Sequence, residues 1–157
     1  MSDLRDELYS LLVPLSGERL IVPRACVAEV IGYQPPAQMT NAPPWYAGLV
    51  NWSGRSVPVV SFEGTMGQPL PSVSSRTRIV IFHAAAGLLP GGCFGMLTQG
   101  FPQLVRVNAD VILPDVSRGF AERAPVICQV RMVNETPLIP DLQRLEQMIA
   151  EETSIMT

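Results

Sequence analysis

The stretch Gly48-Leu49-Val50-Asn51-Trp52-Ser53-Gly54-Arg55-Ser56-Val57-Pro58-Val59-Val60 decides how this chain is read. A Ser-Gly pair stands between two apolar arms, and a two-residue turn containing glycine between such arms is the signature of a β-hairpin. The second arm is rich in valine, whose branched side chain suits a pleated surface. Pro58 interrupts its row of donors, which predicts an edge strand.

Upstream of the hairpin, Tyr33 to Pro44 carries four prolines in two Pro-Pro pairs and reads as a stiff, exposed connector ending at Trp45-Tyr46. Leu8 to Pro14 and Arg19 to Val22 flank a Ser16-Gly17 turn and predict an opening hairpin. Pro23 to Val27 fits one helical turn, and Ala28 to Gly32 a further strand. Downstream, Glu63 to Ser75 is rich in Gly, Pro and Ser and reads as a surface loop that divides the chain into halves. Strands follow at Thr77 to Phe82, Cys93 to Thr98, Gln103 to Val107, Val126 to Val133 and Thr136 to Ile139, the last two around an Asn134-Glu135 turn. Only the tail has helical periodicity. Leu142, Leu145, Met148 and Ile149 fall on one face, and Asp141 stands where a cap belongs.

Composition agrees with many short segments. The 157 residues are 47% hydrophobic and 16% charged, with 15 prolines and 12 glycines. A net charge of −3 provides no positive field for a phosphate backbone, so nucleic acid is not an expected partner. Cys26, Cys93 and Cys128 are an odd number, lie far apart and form no CxxC pair, which fits reduced thiols in the cytoplasm. Residues 1–10, MSDLRDELYS, lack the apolar segment of a secretory signal. No run approaches the roughly 18 apolar residues of a membrane span, so no membrane insertion is expected.

The residue types that carry chemistry are sparse. His83, the one histidine, follows a strand and reads as a surface residue at a strand end. Pro90-Gly91-Gly92 lacks the Lys-Ser/Thr of a phosphate loop and reads as a turn. Glu29, Glu63, Asp110 and Asp115 lie in or beside predicted loops without the spacing of an acid/base pair. Cys26 and Cys128 sit in apolar contexts, whereas Cys93, among glycines and phenylalanine, is expected to be more exposed. Trp45, Tyr46 and Trp52 fit interface anchors and core residues equally well. No enzyme activity, metal or cofactor is expected.

Residues Asn41-Ala42-Pro43-Pro44-Trp45-Tyr46-Ala47-Gly48-Leu49-Val50-Asn51 and Trp52-Ser53-Gly54-Arg55-Ser56-Val57-Pro58-Val59-Val60 together resemble the CheW family of chemotaxis coupling proteins. The likeness extends to Glu29-Val30-Ile31, Thr77 to Phe82, Gly95-Met96-Leu97 and Leu138 to Leu145. Two departures stand out. Trp52-Ser53-Gly54 replaces the usual leucine-arginine-glycine, with the arginine following at Arg55, and Thr98 stands where the family has aspartate.

The resemblance implies a mainly β protein of two small SH3-like five-stranded β-barrels sharing a core, with short helices and a C-terminal helix. On that reading residues 1–157 form one domain. The first barrel spans about 15–70, the second 76–140 plus the N-terminal strand, and the helix 141–152. It further implies no cofactor, and an adaptor joining a chemoreceptor's cytoplasmic tip to the regulatory domain of a CheA-type histidine kinase. Val30, Asn51, Trp52, Ser53, Gly54 and Arg55 would line one wall of the binding groove, with Met96 and Thr98 on the other. The departures point to a diverged member in an alternative pathway, such as type IV pilus control. The competing expectation is a small-ligand or redox-sensing barrel using Cys93 and His83, and a small hydrolase is a third.

Overall fold

The computed structural model describes residues 8–108 and 110–156; the charged segment 1–7 lies outside the described residues. Among the described residues, eleven strands form two sheets. One has six strands in the order β8-β1-β2-β11-β10-β9, built from β1 (Leu8–Pro14), β2 (Arg19–Pro23), β8 (Gln103–Val107), β9 (Leu113–Asp115), β10 (Val126–Arg131) and β11 (Leu138–Pro140). The other has five in the order β3-β6-β7-β5-β4, from β3 (Val27–Gly32), β4 (Tyr46–Trp52), β5 (Arg55–Val60), β6 (Arg78–His83) and β7 (Cys93–Thr98). A short helix α1 (Phe62–Thr65) follows β5, and α2 (Leu142–Met156) closes the chain. Each sheet is antiparallel except at one short parallel junction, Leu138 beside Leu20 in one and Val59-Val60 beside Gly95-Met96 in the other.

Alternation along the strands produces three apolar clusters. The largest lies between the sheets, where Val13, Leu20, Val22 and Leu138 meet Val60, Phe62, Val80, Phe82, Phe94 and Met96. Leu145 and Ile149 of α2 seal it. The other strand faces enclose private cores: Val50, Val57, Val59, Ile79, Ile81 and Cys93 in the five-stranded sheet, and Leu12, Ile21, Val107 and Val130 in the six-stranded one. This is the expected pair of SH3-like barrels around a shared core, with six strands on one side where five were expected.

The expected division near residues 70–76 does not follow the sheets. β6 and β7 hydrogen-bond into the sheet of β3, β4 and β5, while the later strands join the N-terminal hairpin. Glu63, read as a loop carboxylate, is buried in α1, where its Oε2 accepts the Ser16 N–H at 2.9 Å. That bond fastens the β1–β2 turn to the exit of β5.

Pro58 does not mark an edge either, because β5 lies between β4 and β7. Counting from the turn, Trp52–Arg55 and Val50–Val57 are the hydrogen-bonded pairs and Leu49–Pro58 a non-bonded one. The parallel pairing with β7 begins only at Val59, so the missing N–H falls where neither neighbour needs it. The true edge is β4, and the connector partly covers it. Ala37 and Leu49 exchange backbone hydrogen bonds of 2.8 and 3.0 Å. Gly48 permits this approach, since a Cβ there would stand 2.3 Å from the Ala37 carbonyl oxygen.

Asp141 caps α2 as its position suggested, its Oδ1 accepting the Arg144 N–H at 3.0 Å. The helix carries one residue the apolar pattern did not single out. Glu146 is 1% exposed, and its two oxygens accept the Ala86 and Leu88 N–H groups at 3.0 and 2.7 Å. Replacing Glu146 with Ala should therefore remove the acceptor of two loop amides and leave a gap at a 1% exposed position, lowering unfolding free energy by roughly 1–3 kcal/mol. Glu146→Gln, which keeps one acceptor, should cost less. Urea unfolding of the two variants against the parent checks both the loss and its order.

Candidate functional site

β4 and β5 are joined by a turn in which both residues have positive φ, 51° at Ser53 and 75° at Gly54. Left-handed geometry at both positions is that of a type I′ turn, whose twist matches the strands it joins. Glycine adopts it freely, whereas a residue with a Cβ is disfavoured there by roughly 1–2 kcal/mol. Ser53 is thus held in place by the hairpin around it.

The residues flanking the turn form a connected surface. The Trp52 Nε1–H donates to Glu29 Oε1 at 2.9 Å, and Gln34 Nε2 donates to the Asn51 carbonyl at 3.1 Å. Since β3 and β4 are the outer strands of the sheet, these bonds bring its edges together around the private core. Trp52 packs its indole against that core. The Arg55 guanidinium lies over the same indole, 5.7 Å from the ring centroid, and its Nη1 donates to the Gly91 carbonyl at 3.2 Å. Glu29 and Arg55 are exposed. The result is a line from carboxylate to indole to guanidinium to the β6–β7 loop.

The eight expected binding residues do not share one groove. Asn51, Trp52, Ser53, Gly54 and Arg55 are together at the hairpin tip, all exposed except Trp52, which is half-buried. Val30 is half-buried on β3, but it packs toward the shared core, away from the side on which Trp52 packs. Met96 and Thr98 are corrected outright, because both are 0% exposed. Met96 is part of the shared core, and the Thr98 hydroxyl donates to the Gly100 carbonyl at 2.8 Å. Neither has surface to offer a partner. Alternation placed them on a common face of β7, and that face is the one the second sheet covers.

The redox reading of Cys93 meets the same obstacle. Cys93 pairs with His83 across β6 and β7, yet it is 2% exposed and forms part of the five-stranded sheet's interior. His83 is exposed at the strand end. Cys26 is half-buried, and burial pushes its thiol pKa up, which keeps it protonated and poorly nucleophilic. It shares a cleft of about 420 Å³ with His83 and Glu146, but both Glu146 oxygens are engaged by backbone amides. The Ser117 hydroxyl and N–H hold the Asp115 pKa down to about 2, as a loop cap would. Among the described residues no group of three or more His, Cys, Asp or Glu could hold a metal ion.

Of the aromatics, Tyr46 is core, and burial pushes its pKa up. Trp45 is half-buried against the same cluster, and Trp52 alone reaches the hairpin tip. Sequence reasoning missed two contributors to the tip. Glu29 reads as one more carboxylate near a loop, and Gly91 as a turn residue. Both come to the hairpin through pairing between distant strands, for which a single sequence carries no local signal.

A family model described as the CheW-like domain matches residues 10–149. No curated protein sequence matches the chain significantly. Among solved structures, the crystal structure of the scaffolding protein TtCheW from Thermoanaerobacter tengcongensis superposes with a TM-score of 0.70 at 17% identity, covering 85% of this chain and 83% of that one. That likeness is one of fold.

The tip geometry makes two substitutions informative. Trp52→Phe keeps a ring but removes the indole donor, and should cost about 1 kcal/mol while speeding amide exchange from Asn51 to Arg55. Ser53→Gly relieves the left-handed strain at some entropic cost and should leave stability unchanged or raise it by up to about 1 kcal/mol. Chemical unfolding combined with hydrogen exchange measures both.

Proposed function

Because this chain belongs to the CheW-like domain family, we propose that it is a non-enzymatic adaptor of bacterial chemosensory signalling. In this reading it couples the cytoplasmic tip of a chemoreceptor to the regulatory domain of a CheA-type histidine kinase. The observation that carries the reading is the family match, which runs from residue 10 to residue 149.

The physical form of the protein supports it. An adaptor must hold two partners at a fixed geometry, and a core shared by both sheets makes them one body. It must also present surface that its own fold does not consume, and the exposed tip from Ser53 to Arg55 is such surface. No helix among the described residues is long and apolar enough to cross a membrane. The place of action proposed is the cytoplasm, at a receptor array.

The finer proposal is an alternative pathway, such as control of type IV pili. Of the two departures from the family pattern, Thr98 is buried and cannot meet a partner, whereas Trp52-Ser53-Gly54-Arg55 lies at the tip. A change of partner would therefore be read at the hairpin.

Tagged protein purified from its native host should bring down a CheA-type kinase and at least one chemoreceptor; recovery of neither would sink the adaptor reading. A deletion strain should lose twitching and keep swimming. A swimming defect alone would overturn the pilus assignment while leaving the adaptor role intact.

A further inference from the structure

The connector that covers the β4 edge is held lightly for its length. Among the described residues, three hydrogen bonds tie it to β4: the pair exchanged by Ala37 and Leu49, at 2.8 and 3.0 Å, and the donation from Gln34 Nε2 to the Asn51 carbonyl at 3.1 Å. Pro35 and Pro36 have no N–H with which to extend the pairing. No residue from Gln34 to Gln38 is buried, and Pro35, Ala37 and Gln38 are exposed. Firm anchorage begins only at Met39 and Ala42, which rest on the shared core.

Open space lies on both sides of that anchor. Met39 lines one cleft of about 480 Å³ with Pro35, Pro36 and Gln38, and a second of about 200 Å³ with Leu49 and Pro58. A segment bordered by voids lacks the dispersion contacts that hold a packed one, and exposed hydrogen bonds open at small cost. Residues 34–38 are therefore a cover that can lift while Met39 stays seated.

The strand beneath is suited to pair with itself. β4 reads YAGLVNW and has neither a charged residue nor a proline, two of the devices that keep edge strands single. Val50 and Trp52 direct their backbone groups to β5, so Leu49 and Asn51 direct theirs outward, where the cover now meets them. The Ala37–Leu49 bridge is antiparallel, which shows the direction of neighbour this edge accepts. Two antiparallel copies of one strand offer each other the same donors and acceptors about a twofold axis, and on β4 no like charges would meet.

We propose that residues 34–38 are a displaceable cover, and that the β4 edge beneath them is an interface for a second copy of this chain, joined β4 to β4 in antiparallel register near Leu49. The inference does not rest on the adaptor reading.

Sedimentation equilibrium on the full chain measures the monomer–dimer constant. Ala37→Pro removes one of the two bridging donors and should tighten dimerisation about tenfold or more relative to the parent. In that variant the Leu49 amide should gain protection from hydrogen exchange as protein concentration rises. Gln34→Ala, which removes the third tie without altering the backbone, should act in the same direction by a smaller factor, and it serves where Ala37→Pro does not fold. Adding Leu49→Lys to either variant sets like charges opposite each other and should restore the monomer. Ala37→Cys with Leu49→Cys, a pair whose bonding geometry suits a disulfide, should lock the cover and hold the oxidised protein monomeric, with reduction reversing the effect. The inference is overturned if the loosened variants dimerise no more than the parent, if Leu49→Lys leaves their dimer intact, or if the locked protein dimerises as the reduced one does.

Discussion

The packing of one sheet on the other through a shared apolar layer is the constraint on which the rest of this structure depends. From the five-stranded sheet, Phe82 and Phe94 stack with centroids 5.4 Å apart, beside Met96 and Val80. From the six-stranded sheet, Val13, Leu20, Val22 and Leu138 meet them. Neither sheet alone could stay soluble with such a face exposed, since each buried Phe or Leu is worth roughly 1.5–3 kcal/mol of transfer free energy. The shared layer therefore makes the two sheets interdependent. It also determines which strand faces are available to a partner, and it removes the Met96 and Thr98 face of β7 from that set.

Polar ties then fix what the apolar layer leaves free. An apolar interface is tolerant of small sliding, because its attraction is non-directional. Two buried carboxylates add direction. Glu63, just after β5, receives the Ser16 N–H from the turn of the opposite sheet, and Glu146 on α2 receives two N–H groups from the β6–β7 loop. Each accepts from backbone, so each fixes a chain path in addition to a side-chain packing. No buried side-chain nitrogen or oxygen among the described residues lacks a partner. The β6–β7 loop is further closed by the Ala84 N–H donating to the Gly92 carbonyl and the Gly92 N–H donating to the Leu89 carbonyl.

What was legible in the sequence was local. The hairpins, the helical turn after Pro23, the strands after Thr77 and the amphipathic tail all announce themselves through turn residues and period. Pairing between distant segments does not, which is why the loop after residue 63 reads as a divide although β6 and β7 pair across it, and why Pro58 reads as an edge. Alternation shows which residues share a face but not which face is covered. The resemblance puts Met96 and Thr98 in a groove, and the flanks of Cys93 suggest exposure, but neither tells which faces of β7 the rest of the fold covers. One missed residue did leave a signal: Glu146 is four residues after Leu142 and three before Ile149, so helical spacing alone puts it on the buried face. An acidic residue at such a position points to a buried carboxylate with a specific partner.

The hairpin tip is one of two places where this chain departs from the pattern it resembles, and the other, Thr98, is buried. Residues in the shared core are coupled to many neighbours, and any change there must be absorbed by packing at nearly crystalline density. Ser53 is exposed, and Arg55 meets the Trp52 ring and the Gly91 carbonyl at the surface. A type I′ turn asks only for left-handed geometry at its two central positions, which Ser53 and Gly54 supply at modest strain. Ser53 and Gly54 are both exposed. In the strands, Val50, Val57 and Val59 fill the five-stranded sheet's own core and Val60 the shared one. Between them lie six residues, Asn51 to Ser56, all exposed except Trp52, which packs against the five-stranded sheet's own core and bonds Glu29.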